Sequence, residues 1–147
     1  MSKRPPCPPG APWMMPMLTV KDIDAALDFY QKAFGIEKRM AMPGPDGRSM
    51  HGELGWHGQV IMLGRETPDR PEKAPATSGV PSPIGLYLYC DDVDALFARA
   101  TKAGAKALTP PENMFWGDRM CRLGDPDGHA WAFATNFEDF DPSKAPH

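Results

Sequence analysis

Apolar side chains recur at intervals of three and four at Ile23, Ala26, Leu27, Tyr30, Ala33 and Phe34. That is the period of a helix with one buried face. Asp22, just ahead of the stripe, offers a carboxylate to the orphan amides of the first turn, and Gly35, just past it, accepts the left-handed backbone that closes helices. Around this helix the pattern changes to short apolar runs. One run, at 16–20, precedes it. Three follow, at 36–42, 49–56 and 59–63, separated by Gly-Pro-Asp-Gly at 44–47 and by His57-Gly58. This half therefore predicts strand, helix, strand, strand, strand.

The same order returns after residue 83. A strand is predicted at 84–90, Asp92 is placed as a cap, and Val93, Leu96, Phe97 and Ala100 form the next helical stripe, which ends at Gly104. Further strand-like runs fall at 105–108, 119–123 and 129–135, with a Gly-Asp-Pro-Asp-Gly turn at 124–128. The two helical blocks, DIDAALDFYQKAFG from Asp22 and DVDALFARATKAG from Asp92, match at a constant offset of 70 residues. A unit with one helix and one sheet cannot bury a core alone, so the repeat predicts two such units whose uncovered sheet faces provide a cavity.

Proline marks the boundaries. Of 18 prolines, five lie between residues 65 and 83, a stretch with almost nothing large and apolar, and it reads as a connector. Pro110 and Pro111 read as a further stop. The organisation is thus a proline-rich arm at 1–14, modules at 15–64 and 83–135 with a linker at 65–82, and an exposed tail at 136–147. A net charge of −3 with no Lys/Arg run excludes a nucleic-acid surface, and no apolar stretch approaches the roughly 20 residues of a membrane span. The N-terminus carries prolines where a signal peptide has an apolar core, and the chain's three cysteines, Cys7, Cys90 and Cys121, are odd in number and form no CxxC pair. A cytoplasmic protein with free thiols is expected.

The block from Asp22 to Gly35, the Pro45-Asp46-Gly47 turn leading to His51-Gly52-Glu53-Leu54, and the run Phe115-Trp116-Gly117-Asp118-Arg119 followed by Asp125-Pro126-Asp127-Gly128-His129-Ala130-Trp131 resemble the vicinal-oxygen-chelate superfamily. Within it they are most similar to bacterial glyoxalase/bleomycin-resistance/dioxygenase-like proteins of the PhnB type. The resemblance implies an α+β fold, two βαβββ modules forming one U-shaped half-barrel, and a homodimer. It also implies where metal-dependent members carry their ligands: on the first and last strands of each half, which here correspond to Met15, Gly85, a residue close to Met62, and Ala132. None of these residue types suits a hard divalent ion. No metal or other cofactor is therefore expected.

The remaining chemistry rests on a few residues. His51 and Glu53 lie two apart on a predicted strand and so share a face. They suit a ligand pocket, a solvated polar pair, or, in the alternative of a lyase, isomerase or dioxygenase-type enzyme, one divalent ion. Trp116 offers a stacking surface. Arg119 offers either a clamp for an anion or an internal ion pair with Asp118 or Asp125. Tyr87 and Tyr89 share one strand face and suit a cavity wall. His57 and His129 read as turn residues. The ten methionines, Met14, Met15 and Met17 among them, suit an adaptable apolar cup or an ordinary core. The leading expectation is a metal-free protein that binds a small organic molecule.

Overall fold

The computed structural model describes residues 3–146; Met1, Ser2 and His147, which belong to the predicted arm and tail, lie outside them. The chain divides into two compact units. The first runs up to Gln31 and takes Gly35–Ala74; the second takes Lys32–Phe34 and the chain from Pro75 onward.

The first unit contains β1 (Met17–Val20), most of α1 (Ile23–Phe34), β2 (Glu37–Pro43), β3 (Ser49–Trp56) and β4 (Gln59–Arg65). Its strands are ordered β1-β4-β3-β2, with β1 parallel to β4 and the other neighbours antiparallel. The predicted cap forms: the Ala25 amide donates to Asp22 at 2.9 Å, and Gly35 closes α1 at φ 71°. The second unit contains the short α2 (Pro75–Ser78), then β5 (Leu86–Tyr89), α3 (Val93–Lys102), β6 (Lys106–Asn113), β7 (Asp118–Gly124) and β8 (Ala130–Asn136). Its order β5-β8-β7-β6 repeats that of the first sheet, and the Ala95 amide donates to Asp92 at 2.9 Å. The α+β reading and the strand, helix, three-strand order of each half are as the sequence predicts.

Two elements differ from expectation. Pro110 and Pro111 do not stop the chain but lie inside β6, where a register shift between Thr109 and Glu112 accommodates them. β6 is an edge strand paired only with β7, so a missing amide proton costs no ladder bond on its open side. The tail is also less free than predicted. β8 continues to Asn136, and the amides of Phe137 and Glu138 donate to Gly117 O at 3.0 and 3.3 Å.

Each sheet buries one face. In the first, Val20, Leu54, Ile61 and Leu63 are buried together with Ile23 and Leu27 of α1. Gly52 lies directly against that helix: a Cβ there would be 2.6 Å from Ile23 Cγ2. In the second, Leu88, Cys121, Leu123, Trp131 and Phe133 are buried with Val93, Leu96 and Ala100 of α3. The Phe34 ring, which belongs to this unit, stands 5.4 Å from Trp131 and 4.9 Å from Phe133. The first turn of each helix is tied to the start of the third strand of its half. Ser49 Oγ donates to Asp24 at 2.9 Å, and Arg119 binds Asp94 through two nitrogens at 2.7 and 2.8 Å.

The close approach at Gly52 generates a prediction. The β-branched Ile23 has little rotamer freedom in a helix, so Gly52→Ala forces the helix off its sheet and lowers stability by about 1–3 kcal/mol in urea unfolding. Gly85→Ala, where a Cβ meets nothing within 4 Å, leaves the midpoint unchanged.

Candidate functional site

Side chains alternate between faces along a strand, so the pairing registers state which residues share the face that no helix covers. In the first sheet one row across that face is Met17, Met62, Glu53 and Met40, and the next is Thr19, Gly64, His51 and Met42. His51 and Glu53 are thus brought together as predicted, Nε2 to Oε1 at 3.4 Å, among thioethers. His57 is apart from them, exposed in its turn at φ 45° with its ring 4.9 Å from that of Trp56.

The uncovered face of the second sheet is organised around one carboxylate. Met114 N donates to Asp118 O at 2.7 Å, and Gly117 N donates to Met114 O at 3.1 Å, so a tight turn delivers Asp118 to the start of β7. Gly117 is required there. Its φ is 95°, and a Cβ would lie 2.2 Å from Glu138 O. Asp118 is only 2% exposed. Its Oδ2 accepts from Tyr87 Oη at 2.8 Å, Tyr89 Oη at 2.9 Å and Trp116 Nε1 at 3.2 Å, and its Oδ1 accepts from Asn136 Nδ2 at 2.9 Å. Burial pushes the carboxyl pKa up, but the donors, Asn136 first and then the two tyrosines and Trp116, outweigh it and hold the group below its ordinary value. The Tyr87 phenol is pushed up to about 12, by burial first and by the Asp118 charge in addition, with the Trp116 N–H opposing. Tyr89 is raised chiefly by its hydrogen bond to Asp118.

Tyr87, Tyr89 and Trp116 of the predicted set therefore converge, and Arg119 does not join them. One residue beyond Asp118, it lies on the opposite face of β7, where Asp94 and, at 3.1 Å, Asn113 hold it. The internal ion pair considered from the sequence forms, but with Asp94 of α3 in place of Asp118 or Asp125. Asp125 instead accepts the amides of Asp127 and His129 and the Trp131 indole N–H, which fixes its turn and leaves His129 buried within it. Asn136 was missed because it falls where the apolar pattern ends; the only sequence signal for it is its place just after the last strand run.

The divalent centre implied by the resemblance does not fit the residues present. Met15 precedes β1, Gly85 precedes β5, Met62 is in β4 and Ala132 is in β8. Two thioethers, a bare backbone and a methyl supply no nitrogen or oxygen ligand. Among the described residues no three His, Cys, Asp or Glu side chains come together as a metal-binding group.

The coupling between Asp118 and the tyrosines is open to spectrophotometric titration of the three tyrosines. In the native protein the Tyr87 transition is expected well above the ordinary phenol range, near pH 12. Asp118→Asn removes the negative charge beside both phenols, so the Tyr87 and Tyr89 transitions move to lower pH, Tyr87 retaining the part of its shift due to burial. Unmoved transitions in the folded variant contradict the assignment.

Comparison with known proteins agrees with this architecture. Residues 13–133 match the family described as the Glyoxalase/Bleomycin resistance protein/Dioxygenase superfamily. An uncharacterized protein of Mycobacterium tuberculosis, Rv0887c, is 39% identical over 123 residues, covering 82% of this chain and 72% of its own. The Mycobacterium bovis protein Mb0911c shows the same identity with 81% of its own length covered. Among solved structures, TioX from Micromonospora sp. ML1 superposes with a TM-score of 0.67 at 29% identity, covering 84% of this chain and 98% of that one. A superfamily member from Sphaerobacter thermophilus reaches 0.63 at 26% identity, covering 86% and 98%. The family match, which takes in both strand-helix-strand halves described above, shows that the chain belongs to the glyoxalase/bleomycin resistance protein/dioxygenase superfamily.

Proposed function

We propose that the protein is a metal-independent member of its superfamily that binds a small organic molecule on the uncovered face of its second sheet and makes or breaks no bond in it. The observation that carries this reading is the convergence of Tyr87, Tyr89 and Trp116 on Asp118. Aromatic rings supply large contact area at low entropic cost. Here Tyr87 and Tyr89 remain 43% and 56% exposed, and their neighbours across β8 are Ala132 and Ala134, too small to cover them. The hydrogen bonds to Asp118 fix the ring orientations in advance, which reduces the ordering cost of binding. A metal-dependent enzyme built on His51 and Glu53 has only their 3.4 Å approach in its favour, and two ligands from one strand leave a divalent ion short of its coordination.

The test is an aromatic compound library screened by tryptophan fluorescence, with the best compound then followed by calorimetry before and after exhaustive chelation. The expected result is a dissociation constant that chelation does not change, an unaltered compound recovered after incubation, and a roughly ten-fold weakening in Trp116→Ala. Binding abolished by chelation and restored by one equivalent of a divalent ion, or turnover of the compound, contradicts the reading.

A further inference from the structure

We propose that this face selects an organic cation bearing N–H donors, such as an amidinium or a protonated aromatic amine, over an anion of the same shape. The proposal rests on the small-molecule reading above and deepens it. It follows from a hydrogen-bond inventory of the cluster. A phenol has one proton and an indole one N–H. The Tyr87 and Tyr89 protons are both directed to Asp118 Oδ2, at 2.8 and 2.9 Å. The Trp116 N–H is shared between Asp118 Oδ2 at 3.2 Å and Tyr87 Oη at 3.3 Å. Asn136 Nδ2 is spent on Asp118 Oδ1, Gly117 O and Glu138 O, at 2.9, 3.1 and 3.0 Å. Every donor of the cluster is thus turned inward, and what the phenol oxygens offer a newcomer is acceptor capacity.

Charge points the same way. Asp118 is too buried to touch a ligand, so its charge reaches the surface through the phenols that bind it, whose polarised oxygens and exposed ring faces both attract a cation. An anion placed on the phenols meets oxygens whose protons are already committed to Asp118, and a like charge behind them. Arg122 shares the face, in the row Tyr87, Ala132, Arg122. Two strand spacings, roughly 10 Å between backbones, separate it from Tyr87, so it is a positive group on this face that opposes the preference, while the protons of the phenols themselves stay committed to Asp118. Arg119 is on the other face, held by Asp94, and Glu112, paired with Met120, adds no positive charge.

Four probes of one shape class separate the contributions: benzamidine, neutral benzamide, benzoate and phenyltrimethylammonium, the last carrying charge without N–H. Each is titrated into ¹⁵N-labelled protein, and the Trp116 indole N–H resonance reports the site. Benzamidine is expected to bind about ten-fold more tightly than benzoate or benzamide, and several-fold more tightly than phenyltrimethylammonium. Tyr89→Phe, an exposed position whose loss leaves the fold intact, removes most of that preference, as does Asp118→Asn if it folds. Equal or tighter binding of benzoate, with the Trp116 signal shifting, overturns the selectivity while leaving the small-molecule site standing. Phenyltrimethylammonium matching benzamidine overturns the donor requirement. No shift at Trp116 with any probe overturns both readings together.

Discussion

A four-stranded sheet has two faces, and one helix covers only one of them. The arrangement of the candidate site follows from that constraint. Because strand side chains alternate, each unit separates an apolar set that seals its helix from a second set left open: Val20, Leu54, Ile61 and Leu63 against Met17, Met62, His51 and Glu53 in the first unit, and Leu88, Cys121, Leu123 and Phe133 against Tyr87, Tyr89, Asp118 and Asn136 in the second. A slip of one residue in β7 exchanges Asp118 and Arg119. It carries the guanidinium onto the aromatic face and brings a carboxylate against Asp94, two losses at once. The adjacent opposite charges of β7 therefore set its register as firmly as its apolar residues do.

The internal repeat preserves the scaffold and lets the open faces diverge. Both helices are capped by aspartate in the same way, and both tie their first turn to the start of a strand, Asp24 to Ser49 and Asp94 to Arg119. The open faces share no such conservation. Met17 beside Met62 in the first sheet corresponds to Tyr87 beside Ala132 in the second, each pair 70 residues on. The soft, flexible face and the rigid, hydrogen-bonded one are built on the same strand positions. Among the described residues only the second has a buried charge, Asp118, to organise it.

What could be read from the letters was whatever short-range patterning dictates. The capped stripe from Ile23 to Phe34, the three strands behind it and their return after residue 83 all follow from local period and turn chemistry. Pro110 and Pro111 misled because the tolerance of a strand for proline depends on whether it lies at a sheet edge, which is a tertiary fact. The aromatic half of the candidate site was legible, since Tyr87 and Tyr89 lie two apart and Trp116 leads into a strand. Its centre was not. Asp118 looked like one member of a local ion pair with Arg119, and only the strand register shows that neighbours in β7 face opposite ways and that Asn136, on β8, completes the carboxylate's shell. Asp94 was recognised as part of the repeat, while its role as partner of Arg119 is a contact across 25 residues that no local pattern announces.

The central claim is that ligand chemistry resides on the open face of the second sheet, around Asp118. The most direct measurement is a map of backbone and indole amide shifts across the assigned protein when a bound small molecule is titrated to saturation. The account predicts that the largest shifts cluster at Tyr87, Tyr89, Trp116, Gly117 and Asp118, while the helix Val93–Lys102 behind them is nearly silent and the pattern is the same with chelator present. Shifts concentrated on His51 and Glu53 and dependent on added divalent metal would contradict it.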